Sequence, residues 1–220
     1  MRRDDPLPRG SVASFQGQGS LRLVEIGAGN RATALDWPEV QRARDAGRRV
    51  EVVRHDIAPL PGIHVLHDLA QRPWPWKDGE FDGLVAEQVL EHLADLGPTM
   101  EEVCRIVKPG GLALVGVPYA MSKAYFQDWT HKTPFTEHTF DYFAPDGEAP
   151  PWSDHNFYSR ARLRVERLEV VPDLGTFLGL GPHGVEKYLG PRALALAEPL
   201  FRRGTLGLRF VLRVVGLEKA

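Results

Sequence analysis

The stretch Leu21-Arg22-Leu23-Val24-Glu25-Ile26-Gly27-Ala28-Gly29-Asn30 decides the fold. Its first six residues read as a strand, and the glycines stop it. Open α/β sheets bind ligands at the carboxyl ends of their strands. Glycine there lets a ligand approach the backbone with no Cβ in the way. A lone G-x-G is a weak signal, as consistent with a turn as with a site. The dinucleotide motif G-x-G-x-x-G would place its third position at Ala32, a residue it can accept. Glu25 tips the balance. An acid two residues before Gly27 suits an ammonium or hydroxyls and repels a pyrophosphate.

Working outward, strand and helix alternate. Pro38 to Gly47 reads as a helix, with proline in its first turn and glycine as its stop. Arg49 to Arg54 is a second strand that closes on His55-Asp56, and Ile63 to Leu66 a third that ends at His67-Asp68. Phe81 to Ala86 is the fourth. From Leu96-Gly97-Pro98-Thr99 a helix runs to about Val107, with Met100, Val103 and Ile106 at helical spacing. Pro109-Gly110-Gly111 ends it, and Leu112 to Val117 is the fifth strand. These strands are continuous apolar runs, which predicts a parallel sheet covered on both faces. Beyond Tyr119 lies an aromatic, His- and Pro-rich stretch to Ser159. Leu163 to Val171 then alternates like a half-exposed strand, Gly184 to Arg203 could hold a helix broken by Pro191 and Pro199, and Leu208 to Leu217 is a last strand.

Composition sets the outer bounds. The chain has 220 residues, 43% hydrophobic and 25% charged, which is globular. A net charge of −2 supplies no basic field for nucleic acid. Cys104 is the single cysteine, which forbids an internal disulfide and a thiolate zinc site and fits a reducing cytosol. No apolar run reaches membrane-span length, and residues 1–20 lack the apolar segment of a signal peptide. The expectation is a cytoplasmic protein without a membrane anchor, with 1–20 a loose arm and 21–220 one domain. The excess of turn formers, 22 Gly and 18 Pro, implies many loops.

Acids end three successive strands, at Glu25, Asp56 and Asp68. Asp56 can accept both hydroxyls of a ribose, or cap its strand end. Asp68 can accept from an exocyclic amine while Leu69 offers its backbone amide, or it can cap a helix. With Phe81-Asp82-Gly83-Leu84-Val85 and Val107-Lys108-Pro109-Gly110-Gly111, this set resembles the class I S-adenosylmethionine-dependent methyltransferases, in the loosely defined type 11 group. Glu25 to Asn30 looks like that family's E/D-x-G-x-G signature, Val89-Leu90-Glu91-His92-Leu93 like its V-L-E-H-L segment, and Glu101 to Gly111 like its E-x-x-R-V-L-K-P-G-G. A narrower subgroup is matched by Asp56 to Leu69 and by Pro73-Trp74-Pro75-Trp76. The resemblance covers roughly residues 21–143. Arg31 stands where the wider family often has a third glycine, and Gln88 where the subgroup often has His.

The resemblance implies a Rossmann-like, mostly parallel α/β sheet of seven strands in the order 3-2-1-4-5-7-6, strand 7 antiparallel, with helices on both faces. It implies S-adenosylmethionine as cofactor. Glu25 with Gly27, Ala28, Gly29 and Asn30 would hold the methionine moiety, Asp56 with Ile57 the ribose side, and Asp68 with Leu69 the adenine. Glu87 and Gln88 would line the sulfonium. Asp128-Trp129-Thr130-His131-Lys132 resembles a D-P-T-H-K segment of the subgroup, so 119–160 and 172–205 would be acceptor-side insertions. Asp128 or His131 could then serve as the general base on a small-molecule acceptor. The same loop could equally be tied by its own hydrogen bonds. Asp128, His131 and His138 are also metal-capable, but no metal ligand is assigned. Glu91 and His92 read as structural, Trp74 and Trp76 as a rigid turn over the sheet edge, and Arg160, Arg162, Arg164 and Arg167 as a solvated face. The rival readings are a nicotinamide-dependent oxidoreductase and a non-catalytic S-adenosylmethionine-binding protein.

Overall fold

The computed structural model describes residues 13–153, 156–172 and 205–218. Seven strands, β1 (Leu21–Ile26), β2 (Val50–Asp56), β3 (Val65–Leu66), β4 (Phe81–Glu87), β5 (Val107–Pro118), β6 (Ala161–Pro172) and β7 (Thr205–Leu217), form one sheet in the order β3-β2-β1-β4-β5-β7-β6. All neighbours from β3 to β5 are parallel, and β7 runs antiparallel to both β5 and β6. This is the expected order and the expected reversed strand. The helices are α1 (Pro38–Asp45), α2 (Leu96–Ile106) and the short α3 (Lys123–Gln127). None of the described helices is long and apolar enough to cross a membrane.

Each face of the sheet carries its own apolar layer. On one, α2 sets Met100, Val103 and Ile106 against Val24, Leu84 and Val115, all essentially buried. On the other, Trp37 and Val40 of the α1 region cover Leu23, Val85 and Leu114. Strands buried on both faces are why β1, β4 and β5 read as unbroken apolar runs. β7 alternates instead. Leu208, Phe210, Leu212 and Val214 face the α2 layer, whereas the Arg209 guanidinium lies 5.2 Å over the Trp37 ring on the other side. In β6 the apolar phase slips, from Leu163 and Val165 to Leu168 and Val170. The pairing register with β7 shifts between Val165 and Arg167, and that bulge returns both pairs to the same layer.

Several local expectations change. β5 begins at Val107, paired with Phe81, so Lys108–Gly111 bulges within a strand rather than preceding one. The arm assigned to 1–20 is anchored at its inner end: Ala13 and Phe15 are buried, and Arg48 binds the carbonyls of Phe15, Gln16 and Gly19. Gly83 makes that docking possible, since a Cβ there would stand 2.6 Å from the Phe15 ring. Trp74 and Trp76 are buried and pack edge to face with each other, Trp76 also with Phe81; they are core, not a surface turn. Arg162 is buried against Glu218, so the arginine strand is not uniformly solvated; Arg160, Arg164 and Arg167 pair with Glu101, Glu148 and Glu39. The helix expected within Gly184 to Arg203, and most of the 172–205 insertion, lie outside the described residues.

Candidate active site

The carboxyl ends of β1, β2 and β3 meet at the glycine loop. Gly27 and Gly29 both have positive φ, 59° and 53°. At Gly27 a Cβ would in addition fall 2.4 Å from Val89, so the loop geometry requires glycine there. The loop is stitched to β2. The Ala28 amide donates to the His55 carbonyl at 2.9 Å and the Gly29 amide to Asp56 Oδ2 at 2.8 Å. Asp56 Oδ1 accepts the Ala58 amide at 2.9 Å, an Asx turn, so the carboxylate caps the strand end as well as facing the loop.

These ends open into a cleft of about 520 Å³. Of the candidate cofactor residues, Gly27, Asp56, Ile57, Asp68, Leu69 and Gln88 line it together. Asp68 Oδ1 accepts the Ala70 amide, and the Leu69 carbonyl accepts the Trp74 indole N–H. Ala28, Gly29 and Asn30 form the loop behind Gly27 without lining the cleft. Glu25 lies beneath that loop, fully buried. Its Oε1 accepts from the Thr33 amide and hydroxyl and the Ala34 amide, and Oε2 has Arg54 Nε 3.6 Å away but no hydrogen bond. Arg54 reaches on to the Ala28 and Gly29 carbonyls, so the Glu25–Arg54 pair holds the loop from below. Glu87 turns to Arg209 at 3.5 Å, and burial raises its pKa.

A second pocket, of about 540 Å³, adjoins the first. It is lined by Gln88, Glu91, His92, Asp128, Trp129 and His131, among others, so both catalytic candidates, Asp128 and His131, sit in it. Gln88 and His92 line both spaces. Gln88 is the one non-glycine residue with positive φ (57°) among the described residues, its amide held by the Gly116 carbonyl at 2.8 Å. Backbone strain of this kind is retained where the surroundings over-determine it, commonly at functional sites. His131 Nδ1 donates to the Tyr125 carbonyl at 2.8 Å, which leaves Nε2 with a lone pair, 3.9 Å from Asp128 Oδ2. Asp128 is exposed, and hydrogen bonds from the Thr130 hydroxyl and amide hold its pKa below the usual carboxylate range. His138 lies elsewhere, bonded to Asp141.

Comparison with known proteins gives this architecture a family. A family described as a methyltransferase domain matches residues 11–115. A Mycolicibacterium smegmatis protein named a probable S-adenosylmethionine-dependent methyltransferase is 31% identical over 167 residues. The match takes in 76% of this chain and 53% of that protein, so the chain spans about half the length of its curated relative. The chain carries a class I S-adenosylmethionine-dependent methyltransferase domain. The fold of the methyltransferase domain agrees with that of solved relatives. A S-adenosylmethionine-dependent methyltransferase of Archaeoglobus fulgidus aligns with a TM-score of 0.55 at 15% identity, over 90% of this chain and 87% of that one. A Haemonchus contortus phosphoethanolamine N-methyltransferase in complex with S-adenosyl-L-methionine aligns with a TM-score of 0.51 at 10% identity, over 92% of this chain and 50% of that one.

S-adenosylmethionine is the cofactor of this domain family, and the cleft of the methyltransferase domain fits it. A glycine-walled floor, two strand-end carboxylates and the apolar Ile57 and Leu69 match a ligand with hydroxyls, an amine and a flat base. Residues that sequence reasoning passed over also line the cleft, among them His55, His67, Arg72 and Lys132. His55 and His67 carried the same signal, each directly preceding a strand-end aspartate.

His55 yields a measurable consequence. It is buried, its Nε2 donates to the His67 carbonyl at 2.9 Å, and burial pushes its pKa below the ordinary 6.5. As the pH falls through 6.5 the unfolded chain takes up a proton that the folded ring resists. Stability is unaffected by this group above 6.5 and is lost below it, until the lower folded-state pKa is reached. Urea titrations from pH 6.5 to 5 should show a fall of up to ~1.4 kcal/mol per pH unit from this group. His55→Gln should flatten the profile by that amount; an unchanged slope would place the titration elsewhere.

Proposed function

We propose that the chain transfers a methyl group from S-adenosylmethionine, bound in the first cleft, to a small-molecule acceptor in the second pocket. The observation that carries this reading is that the two spaces meet at Gln88 and His92. A donor and an acceptor seated in them would face each other across that boundary. Bound there, S-adenosylmethionine supplies an electrophilic methyl carbon on a sulfonium, a good leaving group. The protein therefore has chiefly to orient the partners and exclude water.

In this reading the Gly27–Asn30 loop, held from below by Glu25, receives the methionine moiety. Asp56 accepts from the ribose hydroxyls, with Ile57 beside it. Asp68 accepts from the adenine amine against Leu69. Gln88 flanks the sulfonium, where a neutral group is tolerated better than a cation, whereas Glu87 lines neither space and turns to Arg209. His131 takes the acceptor proton on Nε2, because the Tyr125 carbonyl fixes Nδ1 as the protonated nitrogen, and Asp128 stabilises the imidazolium that results. Of the stretch 119–160, Ala124, Gln127, Asp128, Trp129 and His131 line the acceptor pocket. A cytoplasmic setting agrees with a single cysteine, Cys104, which can form no internal disulfide.

Calorimetric titration with S-adenosylmethionine should give saturable heat, and NADH none; heat from NADH alone would overturn the reading. His131→Ala should keep donor affinity within twofold and lower the rate of transfer from labelled donor to a panel of small-molecule acceptors by roughly 100-fold. Loss of folding in that variant would assign His131 to loop architecture instead.

A further inference from the structure

Glu91 has no part in the scheme above, yet its carboxyl group is unusually placed. The residue is fully buried, and neither side-chain oxygen accepts a hydrogen bond. Its backbone carbonyl does the structural work, accepting the Lys132 and Thr133 amides. A buried carboxylate left without partners is costly. What faces it is a pair of imidazoles: His131 Nε2 lies 4.0 Å from Oε1, and the His92 ring is edge-on to the His131 ring at 4.8 Å between centroids.

The hydrogen bonds behind these imidazoles fix which nitrogens are free. His131 Nδ1 donates to the Tyr125 carbonyl. The Thr130 hydroxyl spends its proton on Asp128 Oδ1 at 2.6 Å, so at 2.8 Å from His92 Nδ1 it can only accept. Both rings therefore carry a proton on Nδ1 and a lone pair on Nε2. Ligand atoms of Glu91, His92 and His131 all lie within 4.8 Å of one another. Two imidazoles oriented through Nδ1 by an acceptor, plus one carboxylate, are the donor set and the supporting shell of a transition-metal site.

We propose that Glu91, His92 and His131 bind a divalent first-row transition-metal ion at the wall of the acceptor pocket, with Zn²⁺ as its representative. Bonds of about 2.0–2.2 Å in tetrahedral array set ligand atoms about 3.3 Å apart, so side-chain rotations that close the group by an ångström or so would complete it. The remaining coordination position opens to the pocket that Gln88 and Asp128 share. A bound ion would neutralise the buried carboxylate and take up the His131 lone pair. Activation of the acceptor would then pass from a free imidazole to the ion, which points to an acceptor that ligates through oxygen. That last consequence rests on the methyl-transfer reading, whereas ion binding does not.

The test uses tag-free, chelator-stripped protein titrated with Zn²⁺ against a fluorescent chelator, and with Co²⁺ followed by its visible absorption. Expected are one ion per chain and at least 100-fold weaker binding in Glu91→Gln and in His131→Ala. Thr130→Val, which removes the support behind His92, should weaken it about tenfold. Donor affinity measured on the same samples reports folding and separates the two readings. If Glu91→Gln binds S-adenosylmethionine normally and binds Zn²⁺ as well as the parent, the ion sits elsewhere and the proposal fails. It fails equally if the parent takes up no ion while binding donor. An ion bound without donor would instead overturn the methyl-transfer reading.

Discussion

Asp56→Ala should weaken S-adenosylmethionine binding at least 100-fold in calorimetry. Asp56 is 8% exposed and lines the cleft proposed for the donor. Its two oxygens already hold the Gly29 and Ala58 amides at 2.8 and 2.9 Å. Each oxygen has a further lone pair, which is what a pair of vicinal hydroxyls would use. Removal acts twice. The ligand loses charge-assisted bonds of about 1.5–3 kcal/mol, and the glycine loop loses the tether that shapes it for the ligand. A 100-fold change is about 2.7 kcal/mol, so one such bond together with loosening of the loop reaches it. Asp56→Asn separates the two effects. It keeps one acceptor oxygen for an amide but loses the charge, and should bind about tenfold more weakly than the parent. Unchanged affinity in Asp56→Ala would remove this residue from the donor site and leave it a strand-end cap.

The parts of the molecule that were legible in advance are those encoded by local runs. β1 and β4 appear where their apolar stretches stand, because strands covered on both faces need no polar alternation. Gly27, Asp56, Asp68 and Leu69 come together because a parallel sheet brings the ends of its strands to one edge. What escaped is what depends on distant chain folding back. From sequence Glu25 reads as facing a ligand, and nothing in its neighbourhood along the chain announces that Arg54, on the next strand, approaches it. Glu91 and His92 follow β4 and His131 follows α3. Their convergence depends on the loop near 125–133 lying over the strand ends, a placement set by the Glu91 carbonyl and the Tyr119–Phe135 bridge. Phe15 reads as part of a loose arm because one aromatic among polar residues has no periodicity; the space left by Gly83 captures it.

Arg105→Ala should destabilise the domain by about 4 kcal/mol, the cost of breaking a largely buried ion pair from one side. The Arg105 side chain is 18% exposed and that of its partner Glu102 11%. The guanidinium clasps both Glu102 oxygens, at 2.8 and 2.6 Å, and binds the carbonyls of Trp74 and Trp76 at 3.1 and 2.7 Å. Glu102 in turn accepts the Trp74 amide at 2.6 Å. One helical arginine thus closes the backbone polar groups of the Pro73–Trp76 segment and lets two indoles enter the core. The Asp78 contact is exposed and adds little. In Arg105→Ala the Glu102 carboxylate loses its counter-charge and two buried carbonyls lose their donors. For a chain of this size the expected drop in Tm is roughly 10 °C. Arg105→Lys keeps the charge without the planar fork, so it should recover less than half of the loss. Because the Trp74 indole N–H holds the Leu69 carbonyl, the disturbance should also reach the donor cleft. A several-fold rise in the Kd for S-adenosylmethionine is expected, well below that of Asp56→Ala. A variant that keeps the parental Tm would show that indole packing alone secures the segment. One that loses Tm but keeps donor affinity would uncouple the tryptophan pair from the cleft.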